Sequence, residues 1–131
     1  TLSAIANKCV KEVSYHERFS SDWIKRLGDG TEESREKMQE AINDLWAYTD
    51  ELFHQTDADK AMVAEGLGVD VTKLKDNYYA EVSQVLEEAT LQVPESKYFQ
   101  KGGKQGIHTE HLGYILAELQ YMQRAYPNME W

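Results

Sequence analysis

The sequence holds a single cysteine, Cys9, and two prolines, and no apolar run approaches the ~20 residues that a helix needs to span a bilayer. One cysteine excludes an internal disulfide framework and fits a reducing cytoplasm, where a lone thiol on an apolar helix face is expected to be a small core residue. Positive charge is scarce too. Fourteen lysines and arginines stand against 23 aspartates and glutamates, for a net charge of −9. That field repels phosphate, so neither nucleic acid nor an anionic membrane is expected as the main partner. No β-alternation of useful length, internal repeat, low-complexity segment or signal-peptide pattern stands out. The expectation is a soluble cytoplasmic protein of all-α class, one domain over residues 1–131, long enough to bury a sizeable core. The chain opens at Thr1 already inside a helical pattern, so it is expected to be a piece of something longer.

What is present is helical periodicity. Leu2, Ile5, Cys9, Val13, His16, Trp23 and Leu27 share one stripe of a first helix, with Lys11, Arg18, Asp22 and Lys25 opposite. Gly28 and Gly30 stop it, and Thr31 caps a second helix whose first turn holds Glu32 and Glu33, at the positive end of the dipole. The stripe Met38, Ala41, Ile42, Leu45, Tyr48, Thr49 and Leu52 carries this helix to about His54, and the short link makes the pair an antiparallel hairpin. Asp57 to Glu65 reads as a short helix ended by Gly66 and Gly68. Asp70 to Ala89 reads as a third long one, with Val71, Tyr78, Val82, Leu86 and Ala89 in phase. From Thr90 to His108 the pattern fails, at Pro94 and at the run KGGKQG.

The last helix, Thr109 to Tyr126, is apolar around most of its circumference. His111, Leu112, Ile115, Leu119, Met122 and Tyr126 share a face with Glu118 at its edge, which is expected to be core. Such a helix needs neighbours on several sides, and a multi-helix bundle organised around it follows. On its back, Gly113 and Ala117 form a strip of small residues where another helix can approach closely, within the same protein or from a partner. A chain exposing so much apolar helix surface is expected to self-associate when alone.

Several polar residues invite a chemical role. Glu12 and His16 lie one turn apart by the first apolar stripe, and His111 and Glu118 lie on or beside the last one. Inward carboxylates and imidazoles on bundle helices build di-iron sites, with a Glu from each of two helices and Glu-x-x-His from each of the other two. The set is incomplete here: Tyr15 follows Glu12, and Tyr121 follows Glu118, where that spacing calls for histidine. Glu51 and His54 have the spacing but point away from their stripe at a helix end. Glu12 with His16 is thus either a hydrogen-bonded polar group inside a bundle or part of a site completed by another chain. KGGKQG ahead of a helix can hold an anion through backbone N–H groups and Lys101 and Lys104, yet it lacks the GK[ST] ending of a Walker loop. A surface turn or a partner contact is the competing reading. Trp23, Trp46 and Trp131 are expected in core and interface.

The stretches KEVSYHERFSSDW (Lys11 to Trp23), RLGDGTEES (Arg26 to Ser34), MQEAINDLW (Met38 to Trp46), EATLQVP (Glu88 to Pro94) and GGKQGIHTEHLGYILAELQYMQRAYP (Gly102 to Pro127) resemble one family. It is the PaaC family, the C subunit of the bacterial phenylacetyl-CoA ring 1,2-epoxidase, a multicomponent monooxygenase, and the likeness is to the C-terminal half of that subunit. The resemblance implies a ferritin-like helical bundle of di-iron descent that acts as a structural, non-catalytic partner. It implies no cofactor in this subunit, and a homologous A subunit that holds the di-iron centre and binds phenylacetyl-CoA. Glu12, His16, His111 and Glu118 become candidates for a vestigial site, and Lys101, Lys104, Gly113 and Ala117 for partner contacts. The alternative is a ferritin-like di-iron oxygenase or metal-binding protein in its own right. A third, weaker reading is an anion- or CoA-binding module using Lys101 and Lys104.

Overall fold

The first helix, α1, spans Leu2–Gly28, which at 1.5 Å per residue is about 40 Å of straight rod. The computed structural model describes residues 1–130, so Trp131 lies outside the described residues. After α1 come α2 (Glu32–Leu45), α3 (Asp57–Ala64), α4 (Lys75–Glu88), α5 (His111–Leu119) and α6 (Tyr121–Ala125), joined by loops and short 3-10 turns. Among the described residues there is no strand, and the all-α class holds. No described helix is long and apolar enough to cross a membrane.

The corner between α1 and α2 is made by small polar side chains. Thr31 Oγ1 accepts the N–H of Ser34 at 3.2 Å, and the Ser34 hydroxyl donates back to the Leu27 carbonyl at 2.7 Å. One donor at the start of α2 and one carbonyl at the end of α1 are thereby satisfied. The start of α3 is a full capping box, in which Thr56 and Asp59 satisfy each other's backbone N–H. These hydrogen bonds from Thr56, backbone first and then hydroxyl, hold the Asp59 carboxyl below its ordinary range.

The core lies where α1, α2 and α4 meet. Trp46, Leu86, Ala89 and Leu91 are buried, with Ile24, Met38, Ile42, Tyr79, Val82 and Phe99 packed around them. Gly28, the last residue of α1, is buried against Ala89. An ion pair from Lys25 to Glu88 ties α1 to α4 beside this contact, and its hydrogen bond holds the Glu88 carboxyl below the usual range. After α4 the chain runs extended past α2. There Gln39 mimics a backbone partner, its Nε2 donating to the Gln92 carbonyl at 3.0 Å and its Oε1 accepting the Gln92 N–H at 2.8 Å.

Three expectations need correction. The second helix ends at Leu45, not near His54, and continues as two 3-10 turns, Trp46–Tyr48 and Asp50–Phe53. Trp46 is driven into the core at this point, and the Thr49 hydroxyl donates to its carbonyl at 2.8 Å, drawing the chain into the tighter turn. The last helix is broken at Gln120 and is not the core of this chain. Leu112 is half-buried, whereas His111, Ile115, Glu118, Leu119, Met122 and Tyr126 are exposed, because α1, α2 and α4 pack on one another and leave it no enclosing neighbours. Cys9 and Trp23 are exposed as well. The third long helix keeps its expected stripe, buried at Leu86 and Ala89 and half-buried at Tyr78 and Val82, although its first turn, Val71–Leu74, is 3-10.

Candidate partner-binding surface

The phase of α1 decides which residues face outward. Its contact with the rest of the chain is made through Ser21, Ile24, Lys25 and Gly28, the positions that lose exposure. At 100° per residue the apolar stripe from Leu2 to Leu27 is centred about 110° from that face. The stripe is therefore unpartnered: Leu2, Ile5 and Val13 are 60% or more exposed. Tyr15, Phe19 and Trp23 continue outward as an aromatic ladder with ring centroids 6.0 and 6.3 Å apart, and Arg18 and Arg26 lie over its ends.

Glu12 and His16 lie on this outward side, about 170° and 130° from the packing face by the same geometry. Both are exposed, so the expectation that they point inward does not hold within this chain. His111 and Glu118 are likewise exposed on α5. Among the described residues no group of three or more His, Cys, Asp or Glu is placed to hold a metal ion. The four side chains are not gathered into one cluster, and they do not fit a di-iron centre.

The glycine-rich run does gather residues, in a way that periodicity could not disclose. Gly102 and Gly106 adopt φ of +98° and +88°, a left-handed geometry that suits glycine, and close a tight turn over Gly103–Gln105. The Lys104 N–H donates to Glu51 Oε1 at 3.1 Å, and Lys104 Nζ donates to the His54 carbonyl at 2.6 Å. The Gln100 N–H reaches the Ala47 carbonyl at 2.8 Å. The anion on this turn is thus the chain's own Glu51 carboxylate. This corrects two expectations: Glu51, through its carboxylate, and His54, through its backbone carbonyl, serve the turn as acceptors, and the Lys104 ammonium is engaged inside the chain. Lys101 remains exposed beside a cleft of about 340 Å³ that is also lined by Tyr48, His108, His111, Leu112 and Ile115.

On the back of α5 no atom stands within 4 Å of where a Cβ on Gly113 would lie, and Ala117 is exposed. The expected close approach of another helix to this strip is not made within the chain.

A second concave region lies along the core. An apolar trough of about 410 Å³ lies between α1 and α4, and a neighbouring apolar cavity of about 300 Å³ over α2 shares its wall residues Ile24, Tyr78, Val82 and Leu86. Burial, with Tyr79 beside it, raises the Tyr78 hydroxyl above the ordinary tyrosine value, so the phenol stays neutral. The mouth of the trough carries Glu17 on α1 and Glu81 on α4. The molecule's accessible surface is 10864 Å² for 15.1 kDa. A compact monomer of that mass exposes about 7,100 Å², so about 3,800 Å² more than the norm is open.

Sequence reasoning found the small-residue corner, the α4 stripe and the unusual glycine run. It missed Glu51 as the anchor of that run and Tyr78 and Val82 as trough walls. The one available signal for Glu51 was its opposite charge to KGGKQG, which says nothing without contact in space.

Comparison with known proteins places these features in a lineage. The phenylacetic acid catabolic protein family matches residues 1–131. The C subunit of the 1,2-phenylacetyl-CoA epoxidase of Escherichia coli strain K12 is 50% identical over 130 residues, covering 99% of this chain and 52% of its own length. The chain thus spans about half the length of that relative. With the match running from end to end over an all-α bundle, the chain belongs to the phenylacetic acid catabolic protein family.

Proposed function

We propose that this chain serves as part of a non-catalytic structural subunit of a phenylacetyl-CoA epoxidase, acting in the cytoplasm in aerobic phenylacetate degradation. In this reading a homologous A subunit holds the di-iron centre and the substrate, and the present chain holds that subunit in shape. The single observation that carries the reading is the large unpartnered apolar surface of α1, α5 and the trough, set beside polar residues that form no ligand group. Surfaces of this kind are typical of obligate assembly, and patches beyond a few hundred Å² rarely stay bare. The cleft beside Lys101 and the strip at Gly113 and Ala117 are the contact points assigned to the A subunit. Left without partners, the chain self-associates through the same apolar faces.

The test is co-expression with the catalytic A subunit of the relative's complex, followed by affinity capture, metal analysis and an epoxidation assay. A stoichiometric complex with iron confined to the A subunit is expected. About two irons per copy of this chain alone, lost on Glu12→Ala or Glu118→Ala, would replace the scaffold with an enzyme. Light scattering of the isolated chain at low micromolar concentration checks the self-association, and a sharp-melting monomer would refute it.

A further inference from the structure

We infer that the cleft beside Lys101 is a binding site for a small carboxylic acid, in which a single carboxylate is joined to one apolar group. The inference goes beyond the scaffold reading, since it gives the cleft a ligand of its own that needs no partner subunit.

Three observations meet on this ligand. The first is charge. The chain as a whole carries −9, yet the stretch from Lys97 to His111 holds three lysines and two histidines against one acid, Glu110. Lys101, His108 and His111 from this stretch all line the cleft. The Lys104 ammonium is engaged by the His54 carbonyl, whereas Lys101 takes part in no ion pair or side-chain hydrogen bond among the described residues. Lys101 stands on the wall that the cleft shares with a neighbouring cavity of about 290 Å³. An anion entering the cleft therefore meets a free ammonium and two imidazoles that donate N–H.

The second observation limits that charge. Glu51 lines the same cleft, and its carboxylate already accepts the Lys104 N–H. A phosphate dianion would be repelled by this like charge, whereas a monoanion keeps its one carboxylate on the Lys101 side. The third is the apolar wall. Tyr48, Ile107, Leu112 and Ile115 complete the lining, and Ile107 and Ile115 are 67% and 54% exposed. A nonpolar group seated there takes out of water a surface that the chain leaves open. At ~30 Å³ per water-sized group, the 340 Å³ of the cleft has room for about eleven non-hydrogen atoms. Apolar walls with a few charged groups that fix orientation are the usual composition of a small-molecule site.

The experiment uses the 131-residue chain with three probes: 3-phenylpropionate as the acid, 3-phenylpropionamide as its uncharged counterpart, and inorganic phosphate as an anion without an apolar part. Saturation-transfer NMR detects binding whether the chain is single or self-associated, and equilibrium dialysis gives the affinity. The acid is expected to bind with a Kd on the order of 1 mM. The amide should bind about tenfold more weakly, and equimolar phosphate should not displace the acid. Lys101→Gln is expected to weaken the acid about fivefold and leave the amide unchanged, because it removes charge alone. Ile115→Asp sets a carboxylate in the apolar wall and should weaken the acid about tenfold or more. Leu119→Asp, one turn further along α5 and outside the cleft, is the control and leaves affinity intact. Helicity by circular dichroism should match wild type in all three variants, and the comparison of acid with amide needs no variant. The inference is overturned by an acid that does not bind, by an amide that binds as well, by displacement with equimolar phosphate, or by a Lys101→Gln chain that holds the acid like wild type. Capture of the A subunit is read separately, so either proposal can fail while the other stands.

Discussion

Gly28 at the end of α1 lies against Ala89 at the end of α4, so close that a Cβ on Gly28 would stand 2.9 Å from the Ala89 Cβ and 3.0 Å from Leu91 Cδ1. Two helix ends and the start of the following extended segment are locked at this point, with the Thr90 hydroxyl donating to the Gly28 carbonyl at 3.1 Å. In an open helix, replacing glycine by alanine stabilises by about 1 kcal/mol. Here the Ala89 backbone also blocks the way, and overpacking costs about 1–3 kcal/mol. Gly28→Ala is therefore expected to lower the melting temperature, measured by circular dichroism, and a rise would mean that α1 and α4 do not meet so closely.

The turn at Gly103 depends on Glu51. Glu51→Ala removes the acceptor of the Lys104 N–H, which at a half-exposed site is worth about 1 kcal/mol. Amide exchange at Lys104 should accelerate about fivefold while the core amides near Leu86 stay protected. Gly103→Ala should act in the same direction, since its Cβ would stand 3.2 Å from the Glu51 carboxyl carbon and push that side chain aside. Unchanged exchange in both variants would remove Glu51 from this role.

The Lys25–Glu88 pair makes a pH signature. The Lys25 hydrogen bond, then that of Gln84, depresses the Glu88 carboxyl from its ordinary 4.5. A carboxyl depressed in the folded state adds stability that is fully present above its unfolded pKa and is lost as pH falls through the folded one. Wild type should therefore melt above Glu88→Gln at neutral pH, with the gap closing in acid below the ordinary glutamate range. A gap that widens in acid would reverse the sign and dismiss the pair.

Gly113 offers a sign test for the back of α5. Nothing stands near it in this chain, so Gly113→Leu should raise the stability of the isolated chain by up to about 1 kcal/mol. If the strip is a partner contact, the same substitution weakens capture of the A subunit by roughly five- to 150-fold. Higher stability with undiminished capture would place the strip in solvent.

The all-α class, the corner at Gly28 to Thr31, the short helix α3 and the stripe of α4 were all legible in the sequence. Each is set by local chemistry: periodicity, a capping hydroxyl, a glycine at a helix end. The resemblance carried by the quoted motifs led to the family, because identity of residues survives whatever they touch. Which apolar stripe is buried was another matter. The stripes of α1 and of the last helix are as apolar as that of α4, yet only residues such as Leu86, Ala89 and Trp46 meet enough neighbours within the chain to leave water. Periodicity reports that a face wants cover, and tertiary packing decides whether the chain itself supplies it. The same holds for Glu51 and Lys104: 53 residues apart, they become partners only because the 3-10 turn Asp50–Phe53 and the glycine turn arrive at one place. Burial and long-range hydrogen bonds are properties of proximity in space, and for this chain the tertiary structure alone fixed them.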